Sequence, residues 1–271
     1  MEYLKLEKLL NDSREIVETH LKEKKEKGED FNVFSILGME TNETKTHSAM
    51  LVALLDPKGN HYYDVQFLKL FLDEIGYKEY LDKDLALVKV KAEHHLGKIS
   101  EDYTSGGFID VLITFPSGKA IAIENKINAG DQLNQMYRYS LFKGKDCQLY
   151  YLNKTGKPPT KDSLLTLTDR DYQIIAYNNH ILKWLEQCFL VVKPGSIVGN
   201  AIKQYQILIK NLTNSMEKEL ENNLNELIVK NLAEAKYVHS YYEKAVDSIR
   251  EKLRSAVCNK INTLELSTYA Y

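Results

Sequence analysis

Asp110, Glu124 and Lys126 are the residues of this chain whose types and spacing could do chemistry together. They lie in two apolar segments, GFIDVLITF (107–115) and KAIAIENKI (119–127), separated only by Pro116-Ser117-Gly118. Both segments read as strands. A three-residue hairpin loop sets Phe115 opposite Lys119. Stepping away from the turn then sets Thr114 opposite Ala120, Leu112 opposite Ala122 and Asp110 opposite Glu124. Side chains alternate along a strand, so Lys126 shares the face of the two acids. The other face carries Ile109, Val111, Ile113 and Phe115 against Ile121, Ile123 and Ile127.

Two carboxylates set directly opposite each other repel, unless a cation sits between them. Oxygen donors of this kind suit Mg²⁺ or Mn²⁺, which keep several waters and complete their shells with substrate phosphate. A lysine two residues further on could orient an attacking water or stabilise charge developing on a phosphate. A D…E-x-K spacing is weak by itself, because surface strands carry Glu and Lys for solubility. A loop one residue longer would also break the register.

The elements that must position these groups follow from periodicity. Residues 41–55 read as a helix capped by Thr41 or Asn42 and stopped at Asp56-Pro57-Lys58-Gly59. Residues 64–75 form a second helix and 85–94 a strand. After the hairpin come a helix over 131–142 with Asp131 near its cap, a strand over 148–153, a Lys-, Pro- and Gly-rich loop from Asn153 to Asp162, a strand over 172–177 and a helix over 180–190. Residues 2–27, 199–212 and 216–262 read as helical, the last Tyr-rich and without clean heptads. The order predicts an α/β core with a mixed sheet. The expected division is a core domain over 1–195 and a helical C-terminal extension over 196–271.

At this point the chain resembles the PD-(D/E)XK nuclease superfamily, from ETKTHSAMLVALLDPKGNH (43–61) through GGFIDVLITF and IAIENKI to DQLNQMYRY (131–139). The resemblance implies a restriction-endonuclease-like core of order αβββαβ flanked by helices. It implies that Asp110 is the first metal ligand, Glu124 the second carboxylate and Lys126 the catalytic lysine. It implies that the Asn125 carbonyl completes the metal shell and that Glu43 contributes to the same site. Gln135 and Tyr139 fit a Gln-x-x-x-Tyr pattern that contacts substrate in one branch, with Arg138 beside them. Ile109 stands where the name-giving proline would be. The implied activity is Mg²⁺-dependent (or Mn²⁺-dependent) phosphodiester hydrolysis, on DNA rather than RNA, in bacterial defence or DNA processing.

Other residues have plainer readings beside functional ones. His47 lies four residues after Glu43, on the same helix face; it is either beside the site or a polar neighbour. Glu93 could approach the metal from the neighbouring strand, but reads better as a solvated strand-end charge. His94 and His95 point to opposite faces and make a poor zinc chelate. Gly106-Gly107 does not continue into a G-x-G-x-x-G helix start, so it reads as a tight turn into its strand, not a dinucleotide site. Residues 119–161 hold eight Lys or Arg against three acids, the asymmetry a phosphate-binding flank needs.

Composition narrows the rest. The net charge is −2, so any nucleic-acid surface is a local patch. Cys147, Cys188 and Cys258 are widely spaced and odd in number, which argues against a disulfide framework or a zinc ribbon. No apolar run approaches the ~20 residues of a membrane span. The charged N-terminal segment has no signal-peptide core, so a cytoplasmic protein is expected. Expected partners are nucleic acid and a second copy held through the C-terminal helices. The rivals are a non-catalytic nucleic-acid-binding module on the same fold and a helical interaction protein.

Overall fold

The computed structural model describes residues 2–215 and 218–268, with the side chains of 2, 3, 218, 219 and 262–268 left aside. The chain forms two compact units, Glu29–Ser215 and Met1–Gly28 with Met216–Tyr271. The sequence reading divides the chain near 195 instead. The difference has a packing cause: the helix after that point buries Ile202, Tyr205, Leu208 and Ile209, at helical spacing, in the core of the first unit.

The second unit holds helix α1 (Glu2–Glu26) and two C-terminal helices. In the first unit, α2 (Val33–Ile36) is capped by Asn32, whose Oδ1 accepts the amides of Phe34 and Ser35. A π-helical turn, Glu43–Ser48, leads into α3 (Ala49–Leu55). Asn42 caps that turn by accepting the Lys45 amide at 2.7 Å. Helix α4 (Gln66–Glu74) buries Phe67, Leu68, Phe71 and Leu72. Residues 85–87, read from sequence as the start of a strand, belong to a 3₁₀ turn over Asp82–Leu87; β1 begins at Lys89 and runs to His95.

Strands β2 (Phe108–Thr114) and β3 (Ala120–Lys126) form the hairpin. The Phe115 amide donates to the Lys119 carbonyl at 2.9 Å, closing the three-residue loop. Val111 pairs with Ile123, Leu112 with Ala122 and Thr114 with Ala120, the register expected from loop length. Next come α5 (Gln135–Ser140), β4 (Cys147–Asn153), the short α6 (Lys161–Leu164), β5 (Gln173–Ala176), α7 (Leu182–Val191) and α8 (Ile197–Thr213). Helices α9 (Lys218–Lys230) and α10 (Leu232–Thr268) complete the described chain. Helix α5 is shorter than its pattern suggests, because Asn134 takes a left-handed backbone (φ 55°) just before it. Asp131 does not cap it: its carboxylate accepts the Tyr151 hydroxyl at 2.8 Å and the Thr160 amide at 2.7 Å.

The sheet runs β1-β2-β3-β4-β5, antiparallel through β3 and parallel from β3 to β5. Both faces are covered, which is why every residue of the central β3 is buried. On one face α3, α4, α7 and α8 pack on Val111, Ile113, Ile121 and Ile123, with Trp184 donating to the Phe67 carbonyl at 2.9 Å. On the other, Met136 and Tyr139 of α5 pack on Leu112, Ala120 and Ala122. The small side chains on this second face make room for the helix.

Candidate active site

The β2–β3 ladder stops where the charges begin. Continued by one more pair, it would aim the Asn125 amide at the Ile109 carbonyl. That amide donates instead to Asp110 Oδ2, at 2.6 Å. A side-chain carboxylate thus replaces a ladder bond, and the strands part at the acids. Ile109 leaves the apolar face on which alternation puts it, and joins the Met136–Tyr139 cluster.

Glu124 is 1 % exposed and Lys126 7 %. Lys126 Nζ lies 2.8 Å from Glu124 Oε1, while Glu124 Oε2 is buried without a hydrogen-bond partner. Burial raises the Glu124 carboxyl well above its ordinary range, and the Asp110 charge raises it further. Burial likewise pushes Asp110 from 3.8 up to about 6, against the Asn125 amide that favours its ionised form, and the Glu93 charge adds to the rise. Burial alone would lower Lys126; the charges of Glu124, Asp110 and Glu43 outweigh it, so the ammonium is held charged. Two acids pushed up and one amine kept charged, within one hydrogen-bonded group, is the electrostatic pattern of a site awaiting positive charge.

Glu93 is the residue that sequence reasoning undervalued. It lies inside β1, not at a solvated end, with a left-handed backbone (φ 50°) and its Oε1 buried without a partner. The neighbours on either side, Ala92 and His94, pair with Val111 and Ile109, so Glu93 stands across from Asp110. A strained conformation in mid-strand costs of order 1–3 kcal/mol and persists where its surroundings over-determine it.

Glu43 approaches from the π-helical turn. Its Oε1 accepts three successive backbone amides just past β3: Ile127 at 2.6 Å, Asn128 at 3.0 Å and Ala129 at 3.0 Å. Behind the acids, the Asn125 side chain accepts the Tyr177 hydroxyl at 2.9 Å and donates to Ser48 Oγ at 3.1 Å. His47 belongs to this layer and not to the site. It is fully buried, with Nδ1 3.0 Å from the Tyr205 hydroxyl and Nε2 2.9 Å from the Glu40 carbonyl, and burial lowers its pKa.

From the covering helix, Gln135 Nε2 donates to the Tyr139 hydroxyl at 3.2 Å. Burial and the charges of Glu124 and Asp110 hold that hydroxyl above its ordinary pKa, so it stays protonated. Arg138, expected at the substrate, is 2 % exposed and committed to the protein. Its guanidinium donates to Gly106 O at 3.0 Å, to Gln132 Oε1 at 3.1 Å and to the Leu133 carbonyl. A buried arginine at a mid-helix position i+3 from a glutamine is indistinguishable in sequence from an exposed one. The Gly106-Gly107 pair is where this helix meets the sheet. A Cβ on Gly107 (φ 113°) would sit 3.2 Å from the Tyr139 ring.

The donors present fit a hard cation. Asp110 and Glu124 are oxygen ligands, and the partnerless Glu124 Oε2 has no other use for its buried lone pairs. Among the described residues, no set of three His, Cys, Asp or Glu side chains is gathered for a metal. An ion held by two carboxylates would complete its shell with water and phosphate oxygens, the habit of Mg²⁺ and not of zinc.

A family model for the PD-(D/E)XK nuclease superfamily matches residues 31–210. The chain belongs to this superfamily. The match covers the sheet-bearing unit Glu29–Ser215 almost end to end. The mixed five-stranded sheet with flanking helices is the restriction-endonuclease-like α/β fold, in the expected order αβββαβ. No curated protein and no solved structure matches the chain. No helix among the described residues is long and apolar enough to cross a membrane.

Proposed function

We propose that this PD-(D/E)XK protein is a divalent-metal-dependent nuclease that hydrolyses phosphodiester bonds in DNA, with Asp110, Glu124 and Lys126 as its reacting groups. The observation that carries the reading is the buried Lys126–Glu124 ion pair beside the Asp110 charge, whose carboxylate takes the Asn125 amide where the β2–β3 ladder opens. Asp110, Glu124 and the Asn125 carbonyl would hold a Mg²⁺ (or Mn²⁺) ion, which lowers the pKa of a bound water and polarises the phosphate when present. Lys126, held charged at neutral pH, orients the attacking water and stabilises the charge that develops on the phosphate. The protonated Tyr139 hydroxyl can donate to a phosphate oxygen, with Gln135 setting its position. Glu43 fixes the backbone that carries Lys126, and Arg138 fixes the Gly106 approach to β2. Both are positioning residues in this reading.

The test is cleavage of plasmid and end-labelled oligonucleotide DNA. Mg²⁺-dependent products with 5′-phosphate and 3′-hydroxyl ends are expected, abolished in Asp110→Asn and in Lys126→Ala. DNA binding with no cleavage under Mg²⁺ or Mn²⁺ would make the chain a non-catalytic module and end the nuclease reading. A dimer through α10 is also proposed, from the exposed apolar side chains Ile249, Leu253, Val257 and Ile261 at four-residue spacing.

A further inference from the structure

The Lys-, Pro- and Gly-rich loop between β4 and α6 is held by a dense set of hydrogen bonds. Asn153 Oδ1 accepts the amides of Thr155 at 3.1 Å, Gly156 at 2.8 Å and Lys157 at 3.1 Å, and its Nδ2 donates to the Lys157 carbonyl at 2.6 Å. The Lys154 carbonyl accepts the Asn178 amide, and Thr160 is tied to Asp131. Asn153, the last residue of β4, therefore acts as a hub, and Lys154 and Lys157 have fixed backbone positions.

That loop forms one wall of a cleft of about 400 Å³ at the C-terminal ends of the parallel strands β3 and β4. The cleft is lined by Lys126, Lys154 and Lys157 and by no acidic side chain. Lys126 is shared: one side of it contacts Glu124, the other faces the cleft. The cleft therefore begins at the acid pair. The amides of 155–157 are spent on Asn153, which leaves the lysine ammonium groups as the charged donors lining the cleft. The one aromatic residue in the lining, Tyr151, is buried and gives its hydroxyl to Asp131, which leaves no ring on which a base could stack.

We infer that this cleft seats the phosphodiester backbone on one side of the cleaved bond, with Lys154 and Lys157 each neutralising one phosphate. The inference rests on the nuclease reading. It adds that recognition along this wall is electrostatic and independent of base sequence, because phosphate contacts position a strand without reading it. Fixing the lysines in advance also removes part of the ordering cost of binding.

The experiment is fluorescence anisotropy of the full chain with a labelled 20-base-pair DNA duplex. Ca²⁺ replaces Mg²⁺ so that binding is read without cleavage, and the salt concentration is varied. The double variant Lys154→Gln/Lys157→Gln removes both charges while leaving a side chain one atom shorter that still carries N–H donors, as Lys154 does toward Asn128 Oδ1. Loss of two phosphate contacts makes the slope of log K against log salt shallower by about 1.8, which is a roughly 60-fold weaker affinity at 0.1 M salt. The loss is expected to be equal on unrelated sequences, with Ca²⁺ affinity unchanged. Wild-type binding with an unaltered slope in the variant overturns this inference and leaves the nuclease reading standing. A wild-type chain that binds no duplex in Ca²⁺ overturns both.

Discussion

Replacing Asp110 by asparagine should stabilise the metal-free protein at alkaline pH, although it removes a central residue of the site. The folded protein raises the Asp110 carboxyl from 3.8 to about 6, so it binds that proton more tightly than the unfolded chain does. Stability is then greatest at low pH, falls as pH rises from about 4 through about 6, and stays reduced above that. A shift of about two units corresponds to about 3 kcal/mol at 1.36 kcal/mol per unit. Partial exposure and coupling to Glu124 and Lys126 reduce the usable figure to about 2 kcal/mol. Asparagine mimics the protonated acid: it can accept the Asn125 amide and carries no charge to repel Glu124 or Glu93. For a unit of this size about 2 kcal/mol is about 4–8 °C in Tm. The assay is thermal unfolding with chelator at pH 5 and pH 8. The variant should melt several degrees above wild type at pH 8 and about half as far above it at pH 5, where the unfolded carboxyl is already ionised and the folded one is still mostly protonated. Millimolar Mg²⁺ should reverse the order by raising wild type alone. An Asp110→Asn protein less stable than wild type at pH 8 in chelator would refute the reasoning, because the acid would then be a net stabilising partner.

Glu43 separates clamp from ligand: Glu43→Gln can still accept the amides of 127–129 and should retain cleavage within about tenfold, whereas Glu43→Ala should lose about a hundredfold through displaced backbone. Faster amide exchange at 127–129 in the Ala variant alone would accompany this; equal losses in both variants would make the charge the active feature. Gly107→Ala forces a side chain onto a φ of 113° and against Tyr139, and should cost about 1–3 kcal/mol by calorimetry, with an unchanged Tm counting against the packing described.

Much of the site was legible because a hairpin is a local object. Loop length and period-two alternation fix the pairing of Val111 with Ile123, Leu112 with Ala122 and Thr114 with Ala120, and put Glu124 and Lys126 side by side on one face. The order of helices and strands follows from equally local patterns. What could not be read depends on groups brought together from a distance. The clamp on Ile127 spans more than eighty positions from Glu43, and nothing near either residue announces it. Arg138, expected at the substrate, and His47, left open between the site and a polar neighbour, are both satisfied inside the fold by carbonyls and hydroxyls. The opening of the ladder at Asn125, and with it the turn of Ile109 toward α5, is a consequence of the acids themselves, which alternation alone does not foresee. The unit boundary moves from 195 to 215 because the Lys193-Pro194-Gly195 break is a turn into a core helix and not a linker.

The most direct test of the central claim is anomalous diffraction from crystals soaked in Mn²⁺ at pH 7.5, well above the value of about 6 at which Asp110 ionises. A peak at the Asp110 and Glu124 carboxylates is expected, lost in Asp110→Asn crystals. Saturating Mn²⁺ with no peak at these two acids, or a peak held by other residues while DNA is still cleaved, would contradict it.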